Sequence, residues 1–204
     1  MLSRVSAALD VLKRFEKMEY SISGSQGDTV YGQGVSDNVI VVGQPHWVLC
    51  EVSALAQSLL QLGFAIRGGI ASGKIYCSNR VVFGPALVRA VDIEKAIARV
   101  PRVVLDESVL RNVGREGGRP DASKLIGLDQ DGQSYVDFLE LPATVAKAKG
   151  LSYLTCLPPL RLLIVDSLNA HKENPNLRKK YEWLASYFNA TIRRANLSWI
   201  APIQ

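Results

Sequence analysis

Apolar residues spaced three and four apart mark much of this chain as helical. Leu2, Val5, Ala8, Leu9, Leu12 and Phe15 form one stripe and predict an amphipathic helix over residues 2–18. Pro45 opens a second helix to about Leu62, with Val48, Val52, Leu55, Leu59 and Leu62 on one face. A third is predicted over 85–99, with Leu87, Ala90, Ile93 and Ile97 inward and Pro101 as its stop. Two more close the chain, over about 157–170 and 174–196.

The segments between them read as strands and turns. Thr29–Tyr31 is long enough for one short strand. Val35–Val42 reads as a second, with polar Ser36, Asp37 and Asn38 at its start and Gly24–Asp28 as the hairpin turn. The glycine-spaced apolar run Phe64–Tyr76 predicts a strand pair or a bulged hairpin. Arg102–Leu105 reads as a short strand, and Leu125–Leu139 as a hairpin around Asp129–Gly132. Arg111–Arg119, rich in glycine and arginine, reads as a flexible loop. Helix, hairpin, helix, strand, helix, strand predicts an α+β fold with a mostly antiparallel sheet and helices packed on it. One domain over 1–204 is expected, its last helices forming an appendage at about 157–200.

Composition narrows the classes. With 204 residues and 48% hydrophobic side chains, the chain can bury a sizeable core without disulfides or metals. A net charge of +5 suits an anionic ligand. The basic residues form no long runs and are not interleaved with aromatics, so nucleic-acid binding is not expected. Cys50, Cys77 and Cys156 are scattered and form no C-x-x-C pair, which favours a reducing compartment. No apolar run reaches the roughly 20 residues of a membrane span, and Arg4, Asp10, Lys13 and Arg14 interrupt any signal-peptide pattern. A cytoplasmic protein with no membrane partner is expected. His46 and His171 read as surface histidines.

Three segments carry a resemblance. They are Ser36-Asp37-Asn38-Val39-Ile40, then Arg67-Gly68-Gly69-Ile70, then Phe83-Gly84-Pro85-Ala86-Leu87 leading to Ala90 and Glu94. In this order and spacing the chain resembles the catalytic domains of class III nucleotidyl cyclases. With the P-R-V-V-L-D strand at 101–106 and the tail Lys180–Asn189, it is most similar to the bacterial pyrimidine cyclases of Pycsar antiphage defence. The resemblance implies a ferredoxin-like palm and a head-to-tail homodimer with shared active sites. It implies conversion of UTP or CTP to the 3′,5′-cyclic monophosphate and pyrophosphate with Mg²⁺ or Mn²⁺. By the same resemblance Asp37 is the metal ligand and Arg67 reaches the triphosphate, its forked donors suiting phosphate oxygens. Ser36, Asn38, Tyr31, Gln33, Pro85 and Arg89 are candidate substrate-binding positions.

Read from the residues alone, Asp37 also suits a hairpin cap and Arg67 a solvated edge. Gly68 and Gly69 permit close approach of a ligand or partner, or a bulge. The chain departs from the family in several places. The transition-state asparagine and arginine fall on Val88 and Asp92, and the purine-reading lysine and aspartate fall on Gln33 and Pro85. Arg89, Arg111, Arg115 and Arg119 are candidate replacement cations. Counting back from Asp37 to the family's first metal aspartate runs off the start of the chain, so the palm's first strand is expected to be missing from residues 1–204. The rival expectation is a catalytically inactive nucleotide-binding or interaction domain.

Overall fold

The computed structural model of the protein describes residues 2–15, 19–21, 29–35, 38–78, 81–113, 122–140, 157–198 and 200–204. They form a mixed α+β fold with six α-helices. The chain divides into two compact units, Met1–Phe138 and Leu139–Gln204.

The first unit opens with α1 (Leu2–Phe15), then β1 (Glu19–Ser21), β2 (Thr29–Val35) and β3 (Asn38–Val42). These three strands make an antiparallel sheet in the order β1-β2-β3. The strand expected over Val35–Val42 is thus divided: β2 continues to Val35, which pairs with Asn38 at the start of β3. The turn expected at Gly24–Asp28 lies outside the described residues.

Helix α2 (Pro45–Gln61) follows, with Pro45 at its first position, where the missing N–H has no partner to lose. Leu55 and Leu59 of α2 and Ala8 of α1 bury together, and Val39 and Val41 of β3 pack on them along with Ile66. Ile66 lies two residues before β4 (Gly68–Ile70). One apolar cluster therefore touches β3, an edge strand of the first sheet, and the approach to β4, an edge strand of the second.

The second sheet has the order β4-β7-β9-β8, where β7 is Val103–Leu105, β8 Ile126–Leu128 and β9 Ser134–Val136. The strand pair expected within Phe64–Tyr76 does not form. Instead β4 pairs parallel with β7, Gly68 opposite Val103 and Ile70 opposite Leu105. Parallel strands need a crossover. Here it consists of the hairpin β5 (Tyr76–Ser78) and β6 (Val81–Phe83), then α3 (Pro85–Ala96). All three residues of β7 are buried, as an unbroken apolar run covered on both faces should be. Ile93 of α3, Ala98 and Val104 form the cluster between helix and sheet.

Short helices join the remaining strands. Asp106 leads from β7 into α4 (Glu107–Val113), and a 3₁₀ turn (Ala122–Leu125) precedes β8. Arg111, expected in a flexible loop, lies on α4 four residues after Glu107, 3.6 Å from its carboxylate. Residues 114–121, with Arg115 and Arg119, lie outside the described residues. His46, expected at the surface, is buried in the first turn of α2 beside Trp47, ring centroids 4.6 Å apart.

The second unit is built on α5 (Leu157–Ala170) and α6 (Pro175–Arg194). Asn174 caps α6 by accepting from the Leu177 N–H at 3.2 Å. Leu160, Ile164, Leu184, Phe188 and Ile192 are among its buried apolar residues. The Asn189 side-chain amide holds both the N–H and the C=O of Ile203, each at 2.8 Å.

Candidate functional site

The described residues singled out from sequence fall on the first sheet and on or beside α3. Ser36 and Asp37 lie outside the described residues. Tyr31 and Gln33 pair on β2 with Val42 and Ile40, while the roles expected of their side chains lie outside what the structure describes. Asn38 opens β3 and is exposed. Arg67, Pro85 and Arg89 are gathered around α3 and the strand it covers.

Glycine sets the spacing there. A Cβ on Gly69 would lie 2.3 Å from the Ala90 carbonyl oxygen and 2.8 Å from the Ile93 Cβ, so only a bare backbone lets α3 sit so close. The close approach that Gly69 permits is therefore to the protein's own helix. Gly84 caps α3 at φ +148°, a conformation that excludes side chains, with the Lys74 carbonyl against it. That carbonyl accepts the Ala86 N–H at 3.3 Å, tying the start of α3 to the loop after β4.

Two cations flank this unit. The Arg67 guanidinium, just before β4, lies 3.3 Å from the Glu94 carboxylate on α3. Arg89, five positions earlier on α3, donates through Nε to Asp106 Oδ1 at 2.8 Å. The sequence indicated neither partner. Asp106 in fact closes a polar chain at the C-terminal ends of β4 and β7. Its N–H donates to the Ile70 carbonyl at 2.8 Å. Its Oδ2 accepts the Ser108 hydroxyl at 2.6 Å and the Ser108 N–H at 3.1 Å. The Ser108 hydroxyl oxygen accepts the Ser72 N–H at 3.0 Å, and Ser72 Oγ accepts from Asn112 at 2.9 Å. The Ser108 hydroxyl bond, ahead of Arg89, holds the Asp106 carboxyl below its ordinary range. An anion so fully hydrogen-bonded is poorly placed to act as a general base. One signal in the sequence marks it: an aspartate between an apolar strand and an amphipathic helix is an N-cap.

A second ion cluster sits at the other end of β7. Arg102 is buried and donates to Asp129 and, bidentately, to Asp131 in the β8–β9 turn. It fixes that turn against the start of β7.

Among the described residues no group of three or more His, Cys, Asp or Glu is placed to hold a metal ion. Nor, among them, is any helix long and apolar enough to cross a membrane. No protein-family model, curated protein or solved structure matches this chain.

Proposed function

We propose that the chain is a nucleotidyl cyclase domain that converts UTP, or CTP, to the 3′,5′-cyclic monophosphate and pyrophosphate, in the service of bacterial antiphage defence. The observation that carries this reading is the placement of the R-G-G-I and F-G-P-A-L segments. The first forms an edge strand, and the second opens the helix that lies on it. Arg89 on that helix and Arg67 beside it are both more than half exposed.

The reaction joins the ribose 3′-oxygen to the α-phosphorus and breaks its bond to the bridging oxygen, releasing pyrophosphate, while the hydroxyl proton passes to solvent. The chain's part is to hold the triphosphate and neutralise the charge it gathers. Arg67 and Arg89 can turn to phosphate at little cost, since exposed ion pairs such as theirs are worth about 0–1 kcal/mol. Asp37 is the residue proposed to hold Mg²⁺ or Mn²⁺, an ion that would supply further charge neutralisation at the phosphates. Each site is proposed to be shared across a homodimer.

The inactive nucleotide-binding or interaction domain is a second reading, and Val88 favours it. That residue is largely exposed on α3 where the family has its transition-state asparagine.

Incubation with each of the four nucleoside triphosphates and Mn²⁺, with products resolved by mass, separates the two. Cyclic UMP or cyclic CMP is expected, and its loss in Asp37→Ala with an unchanged circular dichroism spectrum. Binding of nucleotide without any product sinks the catalytic reading. Near-normal turnover by Asp37→Ala removes Asp37 as the ligand.

A further inference from the structure

Residues 200–204 of the second unit form neither helix nor strand, yet two of their side chains are buried. Ile200 and Ile203 are 6% and 7% exposed, while Ala201, Pro202 and Gln204 face solvent. The chain leaves α6 through Asn196, whose φ of 55° is the left-handed turn that ends a helix. There the Leu197 N–H donates to the Ile192 carbonyl at 2.9 Å, and the Asn196 N–H to the Arg193 carbonyl at 3.1 Å. These bonds close the last turn of α6 from within. The helix end is complete before the segment begins.

Side chains of both helices hold the segment. Asn189 of α6 takes the N–H and the C=O of Ile203. Arg161 of α5 donates through Nε to the Ala201 carbonyl at 2.6 Å and through a terminal nitrogen to the Pro202 carbonyl at 3.3 Å. All four bonds go to backbone atoms, which any peptide possesses. What this sequence adds is two branched aliphatic residues three positions apart, with a proline between them. Three residues make one turn of polyproline II, a conformation whose backbone groups are left for a partner to bind. Backbone contacts for affinity, with pockets for periodic side chains, are how folded domains take up peptides.

We propose that the surface spanning α5 and α6 is a docking site for a segment of another protein, of the form aliphatic-x-Pro-aliphatic. Residues 200–204 occupy it in cis as a built-in competitor. A tethered occupant acts at an effective concentration on the order of millimolar. A partner segment therefore engages when it is presented at a comparable concentration or carries a second point of attachment. The site lies wholly within the second unit and does not depend on the nucleotide reading.

The test uses the full chain and a fluorescent peptide with the sequence of residues 198–204, read by anisotropy. The wild type, with its site filled, should bind the peptide weakly. In Ile200→Asp/Ile203→Asp the chain's own segment no longer competes, and the peptide should bind at least about tenfold more tightly. Adding Asn189→Ala to that variant should remove the gain. A peptide with valine and leucine at the two aliphatic positions should bind as well, and one with aspartate at both should not. Should the double variant fold poorly, the wild type answers by hydrogen exchange. Its Ile203 N–H, held by Asn189, should exchange several-fold faster when unlabelled peptide is added at roughly millimolar concentration. A folded double variant that takes up no peptide, or one whose uptake ignores Asn189→Ala, overturns the proposal. So does an Ile203 exchange rate that the peptide leaves unchanged. Binding confined to the chain's own sequence also overturns it, since residues 200–204 would then be a structural strap alone.

Discussion

The two ends of β7 carry the same chemistry, an arginine held by aspartate, in opposite surroundings. At the start, Arg102 has 4% of its side chain exposed and is gripped by two carboxylates of one turn. At the end, Arg89 keeps 56% of its side chain in water and holds one carboxylate. Burial decides what each pair is for. A guanidinium without solvent depends on its partners, and its loss leaves two acidic groups facing each other around an empty site. A guanidinium half in water can leave its partner for a phosphate at small cost. The first pair is part of the fold; the second leaves its guanidinium half in water.

Removing the buried cation should have the largest effect. Arg102→Met keeps volume and removes charge, leaving Asp129 and Asp131 uncompensated. Breaking a buried pair costs about 3–5 kcal/mol, and Asp131 is half exposed, so a loss near about 3 kcal/mol is expected in urea denaturation. Arg102→Lys should recover little, because an ammonium cannot reproduce the bidentate bonds. A loss under about 1 kcal/mol for Arg102→Met would erase the distinction between the two ends of β7.

Gly69→Ala should come next. The added Cβ meets a backbone carbonyl of α3, which cannot rotate away. Overpacking of this kind costs about 1–3 kcal/mol. Since α3 also carries Arg89, the shift should spread to the open end of β7. Gly68→Ala, whose Cβ would touch only the Val103 methyls at 3.6 and 3.7 Å, should be much milder. Equal losses in the two variants would mean that the helix is not seated on Gly69.

The helices were largely legible from the chain, because their periodicity is local. The stripes of Leu55 and Leu59 on α2 and Ile93 on α3 are the ones that bury, and the ends marked by Pro45 and Pro85 are where those helices start. Pairing was not legible. Gly68–Ile70 finds its partner across a hairpin and a helix, and no local pattern names β7. The run Phe64–Tyr76, without clean alternation, suited several arrangements equally. Arg67 and Arg89 were identifiable as cations, but Glu94 and Asp106 were not identifiable as their partners. Those contacts depend on how α3 lies over the sheet, which Gly69 sets.

The smallest expected effect falls on the open end. Arg89→Ala should lower stability by no more than about 1 kcal/mol at neutral pH, the range of exposed ion pairs. The sign of its pH dependence follows from Asp106. That carboxyl titrates below its ordinary range in the folded protein, first through the Ser108 hydroxyl and then through Arg89. A depressed folded pKa contributes stability above the unfolded value of about 3.9 and loses it as pH falls through the folded value. Removing Arg89 leaves the Ser108 bonds intact, so most of that acid-side loss should persist in Arg89→Ala. Ser108→Ala should flatten it more, because it takes away the larger cause. Thermal midpoints of both variants from pH 7 down to about 2.5 measure this. If Arg89→Ala flattens the acid limb as much as Ser108→Ala does, the guanidinium is as integral at the open end as Arg102 is at the closed one. In that case it is not free to serve a phosphate.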